Sequence, residues 1–182
     1  MEKIYITGTG RCGTTFLIKI FSFLGLDTGF DKSNYTQYIS KNCNSGMEKA
    51  YNKNFTIIKN PGIIQNIGSI VRDPNVKIKA IIIPIRDYEI SAESRVKYKR
   101  ANGGLWCATN KQTQLEFYNK LMANSVYYMT KYDLNTVFLD FDKMVLDKHY
   151  VFHKLQFIMD EYKIDYDAFS QAYDDASVSS KP

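Results

Sequence analysis

Between a β-branched run and a helix-like stretch the chain reads Ile4-Tyr-Ile-Thr-Gly-Thr-Gly-Arg-Cys-Gly-Thr-Thr-Phe-Leu17. A strand, a glycine turn and then a helix aim the helix's first backbone N–H groups at an anion, usually a phosphate. Three chemistries fit the spacing. Gly8-x-Gly10-x-x-Gly13 satisfies the dinucleotide pattern, which calls for an acidic residue ending a second strand about 20 residues on. Asp27 and Asp31 stand near that distance, but a helix-like run ending at Gly25 precedes them. The reductase-type Tyr-x-x-x-Lys pairs, Tyr127/Lys131 and Tyr150/Lys154, are no more than chance supplies among 14 Tyr and 19 Lys. Gly8-x-x-x-x-Gly13-Thr14-Thr15 keeps the triphosphatase spacing, yet Thr14 replaces the lysine that would neutralise the β- and γ-phosphates. Only Asp87 and Asp140 end apolar runs as a magnesium-binding aspartate would. The third chemistry places the cation inside the loop, where Arg11 precedes Gly13-Thr14-Thr15. A phosphatase-type cysteine at Cys12 would need an arginine six residues on, where Ile18 stands. Cys12 therefore reads as a small loop residue.

A second constellation closes another apolar run, Ile81-Ile-Ile-Pro-Ile-Arg-Asp-Tyr-Glu-Ile-Ser-Ala-Glu-Ser-Arg95. An arginine at a strand's carboxyl end can fork onto a phosphate, and a serine two helical turns on supplies a hydroxyl from the same side. Arg86 and Ser94 have that spacing of eight residues. The competing interpretation pairs Arg86 with Glu89 or Glu93.

Together the two motifs resemble the sulfotransferase family. Its 5′-phosphosulfate loop carries a basic residue, a small residue and Gly-Thr-Thr, and its 3′-phosphate element is an arginine followed eight residues later by a serine. The resemblance implies a three-layer α/β fold of the P-loop type, with a mainly parallel central sheet flanked by helices. It further implies transfer of a sulfuryl group from 3′-phosphoadenosine 5′-phosphosulfate (PAPS) to a hydroxyl or amine, with adenosine 3′,5′-bisphosphate as product and no metal. Gly10, Arg11, Cys12, Gly13, Thr14, Thr15 and Phe16 would form the 5′-phosphate loop, and Arg86 with Ser94 the 3′-phosphate site. Lys59, ending Phe55-Thr-Ile-Ile-Lys59, stands where the family has a lysine near the transferring group. Arg11 and Lys59 would stabilise charge on the bridging oxygen as the S–O bond breaks. The alternative for Lys59 is an exposed cation at the end of a strand.

The pattern also has departures. Where cytosolic members carry a histidine base after the lysine, this chain has Pro61. Other branches use a glutamate after the loop helix, for which Asp31 and Glu48 are the candidates. The family's C-terminal glycine-rich, arginine-bearing cover is absent from Val178-Ser-Ser-Lys-Pro182. Gly103-Gly-Leu-Trp106 could replace it, with Trp106 against a base or acceptor. His149 and His153, the only histidines, and Asp140 and Asp142 read as surface or helix-organising residues.

Four strands are needed to position these groups: Ile4–Thr7, Phe55–Lys59, Lys79–Ile85 and Thr136–Phe141. The continuous apolar character of Ala80–Ile85 is that of a parallel strand covered on both faces, with Pro84 at its end. Thr14–Leu24, Asp87–Arg100, Lys111–Tyr132 and Asp147–Tyr162 read as helices between and after them. At 182 residues the chain has room for one domain, 1–176, followed by a flexible tail, 177–182. Hydrophobic residues at 45% and charged residues at 24% exclude a disordered or low-complexity chain. Three cysteines without a C-x-x-C pair exclude a disulfide framework or zinc ribbon and fit reduced thiols. Phe16–Leu26, the longest apolar run, falls short of the ~18 residues of a membrane span, and the N-terminus lacks a secretory pattern. A cytoplasmic protein is expected.

Net charge is +5, divided into 19 basic against 10 acidic residues over 1–139 and 5 against 9 over 140–182. A basic body suits a polyanionic ligand such as a nucleotide. The expected partners are the nucleotide co-substrate and a small-molecule or glycan acceptor. The rivals are a nicotinamide-dependent oxidoreductase and a non-catalytic binder of nucleotide or nucleic acid.

Overall fold

The computed structural model describes residues 1–40, 45–98 and 103–179. Four strands, β1 (Glu2–Ile6), β2 (Ile57–Lys59), β3 (Lys77–Ile85) and β4 (Thr136–Asp140), form one sheet in the order β2-β1-β3-β4. Every pairing is parallel, with Ile4 opposite both Ile57 and Ala80, and Ile81 opposite Thr136. The expected α/β architecture with helices on both faces is present.

Alternation along the strands sorts the core into two layers. Ile4, Ile6, Ile57, Ala80, Ile82 and Leu139 face α1 (Thr14–Phe23) and the late helices α7 (Lys148–Lys154), α8 (Gln156–Tyr162) and α9 (Tyr166–Val178). On the opposite face Tyr5, Ile58, Ile81 and Ile83 pack on α2 (Gly62–Gln65), α3 (Ile67–Ile70) and α5 (Lys111–Lys131). Pro84 is penultimate in β3, beyond the last β1 pairing at Ile82, so the N–H it lacks is not needed on the β1 side.

The helices differ from the sequence pattern in detail. α4 covers Tyr88–Val96, Lys97 and Tyr98 of the expected Asp87–Arg100 helix lie in a turn and bend after it, and its residues 99 and 100 fall outside those described. The expected Asp147–Tyr162 helix is two, divided at Leu155. A short α6 (Phe141–Leu146), capped by Asp140 accepting from the Lys143 amide at 2.8 Å, fills the turn after β4. Ser177 and Val178, expected in a flexible tail, belong to α9, where Lys19 Nζ donates to the Ser179 carbonyl at 3.0 Å; residues 180–182 lie outside the described part. No described helix is long and apolar enough to cross a membrane.

From β1 the chain passes to β2 on one side, then crosses to β3 on the other. Such a reversal leaves a crevice at the carboxyl ends of the two diverging strands, where ligands of open parallel sheets bind. The segments leaving β1 and β3 at that point are the glycine loop and Arg86–Asp87.

Candidate anion site at the sheet switch point

Thr7 anchors the loop's start: its amide donates to Ile82 O at 3.0 Å, and its hydroxyl donates to Pro61 O and accepts from the Ile64 amide. The turn then enters left-handed backbone at Gly10 (φ 75°), Arg11 (φ 59°) and Gly13 (φ 86°). The positive φ favours glycine at Gly10 and Gly13, where a Cβ would also lie 2.1 Å from Arg95 Nη2 and 2.4 Å from Met144 Cε. Arg11 has no such excuse and adopts its conformation at a cost of about 1 kcal/mol. Both its ends are held. Nε donates to Ser94 Oγ at 3.0 Å and the guanidinium lies 4.6 Å from the Tyr98 ring centroid, while its carbonyl accepts from Arg86 Nη1 at 3.2 Å.

α1 begins at once. Its first amides bonded to backbone are Phe16 and Leu17, both to Gly13 O, and no side chain caps it. The amides of Gly13, Thr14 and Thr15 are thus the donors that a helix start leaves over. Cys12 and Phe16 contribute only backbone to this surface. The Cys12 side chain is fully buried, and burial pushes its thiol up against the opposing pull of the Gly10 amide and Thr9 hydroxyl, so it stays a neutral thiol. The Phe16 ring meets Tyr173 edge-on at 5.1 Å inside the core.

Arg86 is not paired with Glu89 or Glu93: both carboxylates reach Lys111 at 2.7 Å. Its guanidinium lies 4.5 Å from the Phe141 ring centroid and against the loop backbone, so the competing ion-pair interpretation fails. Arg11 thus touches both Ser94, through its Nε, and Arg86, through its carbonyl.

Lys59 is 2% exposed, which overturns the alternative of an exposed strand-end cation. Its ammonium donates to Gly46 O at 2.8 Å and to Glu48 Oε1 at 2.9 Å. Burial pushes its pKa below the usual lysine range despite the raising effect of Glu48. Glu48 is itself exposed and sits on a strap tied to the end of β2, with the Lys49 amide donating to Lys59 O. Lys49 lodges among Phe30, Tyr38 and Phe55, 4.4 to 5.3 Å from their centroids, which fixes that strap. Asp31 has another task. Its carboxylate accepts from the amides of Ser33 and Asn34 and from both their side chains, interactions that hold its pKa below the ordinary carboxylate value. It organises the turn before the 3-10 helix Tyr35–Tyr38 rather than joining Lys59. Neither Asp27 nor Asp31 ends a strand, since α1 and then the 3-10 helix Tyr35–Tyr38 follow β1, so the dinucleotide pattern lacks its second element.

Sequence reasoning missed Arg95. Its guanidinium enters the back of the loop, with Nη2 donating to Thr9 O at 2.9 Å, Nε to the Tyr118 hydroxyl at 2.7 Å and Nη1 to Gly104 O at 2.6 Å. The Gly103 and Gly104 carbonyls therefore share the Arg95 guanidinium with the loop's Thr9. Trp106 packs edge-on against Phe117 at 5.2 Å, with the Arg95 guanidinium 5.4 Å from its ring centroid. No apolar stripe marked it in the sequence, since the buried face of α4 is Ser91, Ala92 and Arg95. His149 stacks on Tyr166 and Asp140 caps α6, as their surface and helix-organising roles required. Among the described residues no group of three His, Cys, Asp or Glu could hold a metal ion.

No protein-family model matches this chain, and neither does any curated protein.

Proposed function

We propose that this chain is a sulfotransferase that moves a sulfuryl group from PAPS to a hydroxyl or amine of a small-molecule or glycan acceptor. The observation that carries the reading is the meeting of Arg11, Arg86 and Ser94. They come from segments 75 and 83 residues apart and join by hydrogen bonds beside an uncapped helix start. The amides of Gly13, Thr14 and Thr15 and the two threonine hydroxyls receive the 5′-phosphosulfate. Arg86 forks onto the 3′-phosphate. Ser94 Oγ accepts from Arg11, which leaves its own proton to donate to a phosphate oxygen.

In the transfer, the acceptor oxygen or nitrogen forms a bond to sulfur as the bridging S–O bond breaks. The negative charge that collects on the bridging oxygen is stabilised by Arg11 and Lys59. The acceptor's proton passes to Glu48, the exposed carboxylate beside Lys59. Asp31, with its oxygens engaged by Ser33 and Asn34, is the weaker candidate for this base. A non-catalytic nucleotide binder is the second reading, favoured by the engagement of the Lys59 ammonium with Gly46 and Glu48.

Thermal unfolding with adenosine 3′,5′-bisphosphate, ADP and NADH in parallel, without magnesium, tests both. A ligand at a hundred times its Kd stabilises by about 2.7 kcal/mol. Selective stabilisation by the bisphosphate, followed by transfer of label from PAPS to an acceptor panel, is the expected result. Bisphosphate binding without transfer selects the binder, and preference for NADH or no response overturns both readings.

A further inference from the structure

We infer that Arg95 is the positioning residue of the anion loop, setting its left-handed turn and locking it to the Gly103–Gly104 strap. The inference rests on the proposed function only for the identity of the phosphate ligand. Arg95 is 6% exposed, yet no carboxylate among the described residues pairs with it. Its partners are oxygens from three separate parts of the chain: Thr9 O before the turn, Gly103 O (3.3 Å) and Gly104 O on the strap, and the Tyr118 hydroxyl on α5. Burying a guanidinium without a counter-charge is unfavourable, and an aliphatic side chain would fill the α4–α5 interface at lower cost. The planar fork gives what an aliphatic chain cannot, fixed directions to several acceptors at once. Nη2 also lies directly against Gly10, where a Cβ would come within 2.1 Å of it, so a side chain there would push the guanidinium from its acceptors.

Two consequences follow from this geometry. The direction of the Gly13–Thr15 amides depends on Thr9–Arg11, and Thr9–Arg11 is held from behind by Arg95. The strap is held by the same group, so an anion in the loop supplies nearby negative charge to Arg95 and thereby steadies the strap. Occupancy and cover are coupled through one side chain.

Arg95→Lys keeps the charge and removes the fork, while Tyr118→Phe keeps the ring and removes one acceptor. Titration calorimetry with adenosine 3′,5′-bisphosphate and with adenosine 5′-phosphate, and amide hydrogen exchange over Gly8–Thr15 and over β4, are measured for both variants. A positioning role raises the Kd of the two nucleotides by the same factor, about tenfold or more for Arg95→Lys. It also speeds exchange in Gly8–Thr15 and at residues 103–106 while leaving β4 unchanged. Arg86→Ala provides the contrast, weakening the bisphosphate much more than adenosine 5′-phosphate. Unchanged loop exchange in Arg95→Lys, or acceleration of loop and β4 by one common factor, overturns the inference. If wild type binds neither nucleotide, the sulfotransferase reading fails and the exchange comparison alone decides Arg95. If Arg95→Lys does not fold, Tyr118→Phe carries the same comparison with a smaller effect.

Discussion

At the helical periphery lysines meet carboxylates: Lys32 reaches Asp175 at 2.6 Å, Lys148 reaches Asp174 at 2.9 Å, and Lys111 reaches both Glu89 and Glu93. At the carboxyl end of the sheet, Arg86 and Arg95 meet carbonyls, a tyrosine hydroxyl and ring faces instead. The difference is not a shortage of acid, because Glu89 and Glu93 lie on the same helix as Arg95 and turn to Lys111. Peripheral pairs of this kind are screened by water and add little to stability. A partly enclosed guanidinium without a counter-ion is a different object. No carboxylate among the described residues pairs with Arg86 or Arg95, and a cleft lined by unpaired positive charge raises the local concentration of anions.

The comparison breaks most visibly at Lys59, the loop-side cation that does have a carboxylate. In the sulfotransferase reading Lys59→Ala lowers turnover from PAPS by about 100-fold or more while changing bisphosphate affinity far less. Equal losses in kcat and affinity would make it a structural cation. Next in size, Arg86→Ala raises the Kd of adenosine 3′,5′-bisphosphate by roughly 10- to 100-fold, the loss of a charge-assisted contact. Adenosine 5′-phosphate binding falls much less, and calorimetry with the two nucleotides separates the cases, equal losses contradicting a 3′-phosphate role.

Lys19 sharpens the comparison from the core side. It is buried, and desolvation holds its pKa down to about 8. The unfolded chain binds that proton more tightly, so between about pH 8 and 10.5 stability due to Lys19 increases with pH. Urea unfolding of wild type and Lys19→Met across pH 7 to 9.5, roughly spanning the start of that window, checks the sign: wild type gains relative to the variant as pH rises. The smallest effect is expected at Lys111. Lys111→Met leaves both Tm and bisphosphate affinity at wild-type values, and a loss of affinity there would show that the peripheral pairs share in the site.

The sheet was legible in the sequence because β-branched runs such as Ala80–Ile85 can be little else when covered on both faces, and all four strands lie where that pattern places them. The loop was legible because glycine spacing reports left-handed backbone directly. α4 was not. Its apolar residues Ile90 and Val96 are exposed while Ser91, Ala92 and Arg95 are buried, the reverse of the usual helical stripe, so nothing local marked Arg95 as interior. The Leu155 break within the expected late helix is equally silent in sequence, since leucine ordinarily continues a helix. Lys59 was read at the right strand end, but its burial depends on the Gly46–Glu48 strap folding back over it, a non-local event that no spacing rule conveys.

The sheet order also has a kinetic meaning. β1 is made first, but the groups that finish the loop, Arg86, Ser94 and Arg95, bond to it across 75 to 86 residues of chain. Parallel strands require long closures before their contacts form, which makes such pairings slow. A chain emerging from the ribosome as far as β2 therefore carries the glycine turn and α1 without the arginines that complete the site. During that interval the edge of β1 that later receives β3, where the Thr7 amide meets Ile82 O, is unpaired and open to association with other chains. Docking of β3 closes that edge and brings the loop's arginines into place in the same event.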